Sequence, residues 1–260
     1  MKKQIVSMMM FVICFMFVGT EAMAQGVVVY KKNGEVMKVP YEELDSIVTY
    51  NDEGEDIIQT EMVQGHECVD LGLSVKWATC NVGANSPEES GDYYAWGETE
   101  IKNDYSWKTY KWCEGTNNSM TKYCQWSING KVDNKKFLDA SDDVAYVKWG
   151  NEWRMPTLSE IVELCNECTW TWTTRHDVYG YEVTGSNGNS IFLPAAGKRS
   201  GTSYADCGNL TSVGTYWSSQ LWNGICCYAH CIFFSHNDRA DYKYESEYRY
   251  FGFPVRPVTE

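Results

Sequence analysis

The feature that most limits what this chain can fold into is its punctuation. From about Gly65 to Glu260, short apolar runs are broken at frequent intervals by Gly, Asn, Ser and Asp, with no internal period. Such spacing builds many short strands joined by long loops. Two helices stand out against it. Ser141 to Trp149 places Val144, Val147 and Lys148 at helical spacing. Thr157-Leu158-Ser159-Glu160 is a capping box, in which the Thr157 hydroxyl accepts from the Glu160 amide and the Glu160 carboxylate reaches back. Pro156 precedes that cap, and Ile161, Leu164 and Cys165 follow it as one apolar face. Strands are expected over Trp170 to Thr174, Tyr179 to Thr184, Ile191 to Leu193, Tyr216 to Ser219, Ala229 to Phe234 and Phe253 to Val258, with a tight turn at Asn187-Gly188-Asn189. The class is α+β, with few helices and irregular connections.

The first 64 residues are organised differently. Lys2 and Lys3, the apolar stretch Ile5 to Val18 and the small-x-small string Ala22-Met23-Ala24 read as an export signal, residues 1–24, with Gln25 as the mature N-terminus. The apolar stretch is too short for a spanning helix, so no transmembrane segment is expected after cleavage. Cys14 lacks the small residue that a lipidated cysteine needs before it. Residues 25–50 read as a small β-hairpin module: Val27 to Tyr30, a turn at Asn33-Gly34, then the alternating Glu35 to Val39. One helical turn at Tyr41 to Leu44 and a third strand at Ser46 to Tyr50 complete it. Residues 51–64 carry Asp52, Glu53, Glu55, Asp56 and Glu61 and no basic side chain, which reads as an acidic linker. Residues 65–260 form the main domain.

Composition excludes several functions. With 43% hydrophobic and 15% aromatic residues, the chain is not disordered. Its net charge of −13 becomes −14 once the leader takes away two lysines and one glutamate. An acidic chain has no positive field for a phosphate backbone, so nucleic acid is not a partner. Of 11 Cys, ten stay in the mature chain. Export permits disulfides among them, but a body of this length builds a core without them, and the connectivity is left open.

Seven strings occur in order. Val69-Asp70-Leu71-Gly72-Leu73 leads into Trp77-Ala78-Thr79-Cys80-Asn81-Val82-Gly83-Ala84, and Gly91-Asp92-Tyr93-Tyr94-Ala95-Trp96-Gly97-Glu98-Thr99 follows. Then come Trp153-Arg154-Met155-Pro156-Thr157, Phe192-Leu193-Pro194-Ala195-Ala196-Gly197, Tyr216-Trp217-Ser218-Ser219 and Gly252-Phe253-Pro254-Val255-Arg256-Pro257-Val258. This order resembles the Fibrobacter succinogenes major paralogous domain family of exported bacterial proteins, over residues 65–260. That family is similar in pattern to the C-type-lectin-like fold and to the formylglycine-generating-enzyme group. The resemblance implies short twisted antiparallel sheets, two main helices and long loops, preceded here by the hairpin module. It implies a location in the periplasm, at the cell surface or outside the cell. Function does not follow from fold.

The C-terminal stretch is where a binding surface is expected. Residues 216–260 hold 12 aromatics in 45 positions, well above the 15% of the whole chain. Tyr, His, Asn, Ser and Trp side chains there give amphipathic contact area at low entropic cost, and some relatives of the fold diversify this region. The expected contact residues are Trp217, Trp222, Tyr228, His230, Tyr242, Tyr244, Tyr248 and Tyr250. The expected ligand is a glycan or a surface protein, bound without a cofactor and without catalysis. Arg249 and Arg256 are expected to hold loops through carbonyls or carboxylates. The alternative is an oxidase like the formylglycine-generating enzymes, with Cys226 and Cys231 holding copper. Cys226, Cys227, His230, Cys231 and His236 are zinc-ligand types but match no standard spacing. Cys165-x-x-Cys168 lies at a helix end, where a redox pair would need a helix start. No Ser-His-Asp arrangement, phosphate-cradling loop or lectin-type calcium string occurs, and His66 and His176 are lone.

Overall fold

In a computed structural model, residues 26–30, 36–40, 60–205, 212–236 and 241–260 are described. The chain divides into two units, residues 1–59 and 60–260. The described part of the first is an antiparallel hairpin of β1 (Gly26–Tyr30) and β2 (Val36–Pro40), with Tyr30 opposite Val36 and Gly26 opposite Pro40. The turn expected at Asn33-Gly34 lies outside the described residues. The export signal, the helical turn at Tyr41 to Leu44 and the third strand at Ser46 to Tyr50 lie outside the described residues.

The second unit opens with β3 (Thr60–Val63), β4 (His66–Val69) and β5 (Lys76–Ala78). A 3₁₀ turn at Ala140–Asp142 leads to α1 (Val144–Trp149), and α2 (Leu158–Glu167) follows. Strands β6 (Thr169–Arg175), β7 (Val178–Thr184) and β8 (Ser190–Pro194) form an antiparallel meander. A small hairpin of β9 (Lys198–Ser200) and β10 (Ser203–Ala205) comes next. A second meander consists of β11 (Val213–Leu221), β12 (Tyr228–Ser235) and β13 (Asp241–Tyr248). Finally β14 (Val258–Thr259) returns to pair with β5, in a sheet of order β14-β5-β4-β3. The fold is α+β, with small antiparallel sheets and two helices.

Each element has a local cause. The Thr157 hydroxyl accepts from the Glu160 amide at 3.3 Å, and the Glu160 carboxylate accepts from the Thr157 amide at 2.8 Å, so the capping box is formed. Ile161, Leu164 and Cys165 are the buried face of α2, which lies against β11, β12 and β13. Arg154 grips the same Glu160 carboxylate with two N–H groups at 2.7 and 2.8 Å. Burial works against the Glu160 charge, yet these bonds win and its acidity is increased. At the start of α1, Asp143 accepts from the amides of Ala145, Tyr146 and Met155. The turn at Asn187-Gly188-Asn189 joins β7 to β8, with Gly188 at φ +87, where a side chain would be strained.

Three expectations are corrected. The main body begins at Thr60, inside the stretch read as a linker: β3 pairs with β4, and Glu61 holds Lys76 of β5 at 2.7 Å. The acidic run hides that short strand because its side chains are mostly exposed. In α1 the buried residues are Val144, Ala145 and Trp149, while Val147 is half exposed. Trp149 sets this rotation, since its ring lies between His66, stacked at 3.8 Å, and Trp153, edge-on at 5.1 Å. Of the expected strand Phe253 to Val258 only Val258 is in a strand, together with Thr259 as β14; Phe253 makes a single bridge to Tyr94.

Among the described residues, two hydrophobic clusters of the second unit bear on the site. One gathers Trp96, Trp153, Trp217, Ala229, Cys231, Phe253 and Val255. The other gathers Tyr93, Tyr105, Tyr110, Met120, Cys124, Cys226 and Cys227. Among the described residues, no helix is long and apolar enough to cross a membrane.

Candidate functional site

Strands β12 and β13 begin and end beside each other, with Tyr228 directly opposite Tyr248. Their rings stack at 4.5 Å and 27°. The stack extends on both sides. Trp222 meets Tyr228 edge-on at 5.7 Å, and Tyr250 lies over Tyr248 at 5.6 Å and 17°. Trp107, from a distant loop, packs edge-on against Tyr248 at 5.8 Å and Tyr250 at 4.8 Å. All five rings are partly exposed. They form a band of aromatic faces and edges along one end of the sheet. Beyond Trp222, the turn Asn223-Gly224-Ile225 is exposed. A Cβ on Gly224 would lie 2.3 Å from the Trp222 ring, so the absence of a side chain there is what lets the indole settle on its own turn.

The band rests on a buried arginine. Arg249, between Tyr248 and Tyr250, is fully buried. Its Nε donates to the Tyr110 hydroxyl at 2.8 Å, and its Nη1 donates to the carbonyls of Cys226 at 2.8 Å and Tyr123 at 3.1 Å. Nη2 donates to the Lys122 carbonyl at 3.1 Å, and the guanidinium lies 4.9 Å from the Trp96 ring centroid. One side chain thus ties the loop that follows Trp107 to the turn before β12. Arg256 does similar work elsewhere, donating to Asn81 Oδ1 and to the carbonyls of Ala78, Thr79 and Phe192. Both arginines hold loops, chiefly through carbonyls, the first of the two kinds of acceptor expected for them.

Two hydroxyls of the band, those of Tyr228 and Tyr250, are held as neutral hydrogen-bonding groups. Tyr228 is pushed well above the ordinary phenol range, first by its hydrogen bond with the Tyr248 hydroxyl and then by burial. Tyr250 is raised by burial.

Of the eight expected contact residues, the structure brings together Trp222, Tyr228, Tyr248 and Tyr250. Trp217 is not on the surface: it is fully buried, stacked on Phe253 at 4.1 Å, and its Nε1 donates to the Tyr94 carbonyl at 2.9 Å. It lies in the middle of β11, and a large ring pairing opposite Cys231 at that position has only the core to enter. His230 is likewise 9% exposed, and burial lowers its basicity. Tyr244 is exposed but sits four residues from Tyr248 along β13, roughly 13 Å at the usual strand rise. Tyr242 pairs opposite Phe234 in the backbone register; its side chain lies outside the described residues. Sequence reasoning missed Trp107. It sits in an irregular loop about 140 residues before Tyr248, with no periodicity to mark which face it joins.

Cys226 and Cys231 fall in different clusters, Cys226 among Tyr105 and Tyr110, and Cys231 beside Trp217 and Ala229. Among the described residues no group of three or more His, Cys, Asp or Glu side chains is arranged to hold a metal. Burial pushes the Cys165 thiol up to about 12 and the Cys168 thiol up to about 11, so neither is a thiolate at neutral pH. A cleft of about 570 Å³ lies elsewhere, lined by Val63, Tyr146, Trp153, Arg154 and Glu260 among others. Its arginine is already held by Glu160 and Glu260.

No family model, curated protein or solved structure matches this chain.

Proposed function

We propose that this is an exported, non-enzymatic binding protein of C-type-lectin-like architecture that captures a glycan on the aromatic band of Trp107, Trp222, Tyr228, Tyr248 and Tyr250. The observation that carries the reading is the band itself: five partly exposed rings in mutual contact, set on paired strands and a buried arginine. A sugar offers an apolar C–H face to such rings and hydroxyls to their polar tips. Tyr and Trp supply both kinds of contact while losing few rotamers on binding. Rings already stacked on one another are ordered before the ligand arrives, which lowers the entropic cost of capture.

The lectin-like architecture and the family resemblance draw support from where the seven strings fall. Arg154 and Thr157 build the start of α2, Arg256 bonds back to the Ala78-Thr79 string, and the chain end pairs with β5. Export rests on the leader sequence, and an exported location supplies glycans and surface proteins as ligands.

The test is a glycan array followed by titration calorimetry on the best sugar, with wild type and the Trp222→Ala/Tyr248→Ala double variant. Capture by wild type and its loss in a double variant with unchanged near-ultraviolet circular dichroism supports the reading. A folded double variant that binds as well as wild type overturns it, and a protein array run alongside reports the surface-protein outcome.

A further inference from the structure

Beneath the aromatic band, two cysteines far apart in the sequence are brought side by side. Cys124 lies in the loop that Arg249 holds, and Cys226 in the turn before β12. The Gln125 amide, one peptide bond from Cys124, donates to the Cys226 sulfur at 2.9 Å. The Cys124 thiol itself donates to the Trp126 carbonyl at 3.2 Å, on the same short stretch that reaches Cys226. Both are buried, and both belong to the cluster that carries Trp107, Tyr228, Tyr248 and Tyr250 at its edge. Arg249 Nη1 fixes the approach, since it binds the carbonyl of Tyr123, the residue before Cys124, and the carbonyl of Cys226 itself. Two backbone segments pinned to one guanidinium hold these two free cysteines side by side, which is the first requirement for joining them.

We propose that Cys124 and Cys226 form a structural disulfide in an oxidising compartment, locking the Trp107-bearing loop to the β12–β13 end of the sheet. The reaction partner is a small-molecule disulfide such as oxidised glutathione. A thiolate of the pair attacks it, forming a mixed disulfide and releasing one glutathione. The second thiolate then displaces the other glutathione. The two protein thiols lose two electrons and two protons, and the two glutathione sulfurs gain them. Burial pushes the Cys124 thiol up to about 11, so in the folded chain it is a poor nucleophile and the bond forms as the chain folds. The cross-link closes a loop of roughly 100 residues, the size at which restriction of the unfolded chain is large. It does not depend on the glycan reading, because it concerns the ordering of the loop whatever the face binds.

The experiment uses the full mature chain, reduced, unfolded and refolded in a buffer of reduced and oxidised glutathione. Free thiols are then alkylated, and a combined tryptic and chymotryptic digest is sequenced by tandem mass spectrometry. The expected result is one peptide pair joined through Cys124 and Cys226, with Cys227 alkylated. Melting with added reductant is expected to lower the Tm by roughly 10 °C. Cys226→Ser should abolish both the cross-link and the reductant effect, and Cys227→Ser should leave both intact. Alkylation of both Cys124 and Cys226 in folded protein overturns the proposal. So does a bond from either of them to Cys113, Cys207 or Cys227.

Discussion

The Arg249 guanidinium donates to the Cys226 carbonyl at 2.8 Å while the same nitrogen reaches the Tyr123 carbonyl at 3.1 Å. A full charge is therefore buried with carbonyls, one hydroxyl and aromatic faces around it, and none of the ion pairs found among the described residues includes it. This works because a guanidinium is planar and offers five donors in fixed directions. An ammonium would satisfy at most three acceptors, at a single point.

The first prediction follows. Arg249→Lys should destabilise the protein by at least about 3 kcal/mol, because two or more buried carbonyls lose their donor and the remaining charge is poorly solvated. Urea unfolding followed by tryptophan fluorescence measures it. A loss below about 1 kcal/mol would show that water or the backbone replaces the guanidinium at little cost.

Two tryptophans five residues apart should behave in opposite ways. Trp217 is wholly buried on Phe253, so Trp217→Ala should cost about 3–5 kcal/mol and reduce the yield of folded protein. Trp222 is partly exposed and touches Tyr228 by its edge, so Trp222→Ala should cost no more than about 1 kcal/mol while weakening glycan capture. Thermal melts and calorimetric titration separate the two. Equal stability losses in both variants would put Trp222 in the core as well.

That contrast marks what could be read from the chain. Spacing and capping chemistry made the start and the buried face of α2 legible, because Thr157 and Glu160 act on each other locally. Strands β6, β7, β8, β11 and β12 were legible because β-branched and aromatic runs end at turn residues, whereas the short β9 and β10 carry no such run. Which face each ring takes was not legible. Trp217 and Trp222 have similar neighbours, and only the pairing of β11 with β12 decides that one is buried. Strand β13 was missed as a strand although Tyr242, Tyr244 and Tyr248 fall at even spacing among charged residues. Its polar alternate positions resemble a loop until the partner strand is known. Trp107 was invisible because its role depends on Arg249, which holds its loop from far along the chain.

Gly224 offers a gentler probe of the band. A Cβ there would meet the Trp222 ring at 2.3 Å, so Gly224→Ala must move the indole off its turn. The turn itself is exposed, so stability should change by no more than about 1 kcal/mol. Glycan affinity is expected to fall about tenfold, a loss near 1.4 kcal/mol, as the ring leaves the line set by Tyr228 and Tyr248. Unchanged affinity would show that Trp222 lies outside the contact.

Asp143 gives a prediction in pH. Burial raises its carboxyl from 3.8 to about 6, against the pull of the amides of Met155, Tyr146 and Ala145, which favour the charged form. The folded chain therefore holds this proton more tightly than the unfolded chain does. The stabilisation is fully present below the unfolded pKa and is lost as pH rises through the folded one, an amplitude of about 3 kcal/mol for a shift of this size. Asp143→Asn has no proton to lose there, so its stability relative to wild type should improve steadily as pH rises from about 4 to about 7 and then level off. Taking the difference between the two proteins at each pH cancels the other titrating groups, His66 and His230 among them, whose basicity burial lowers. Urea midpoints across that range supply the measurement. Parallel curves would mean that the three amides keep Asp143 ionised in the fold as readily as water does outside it.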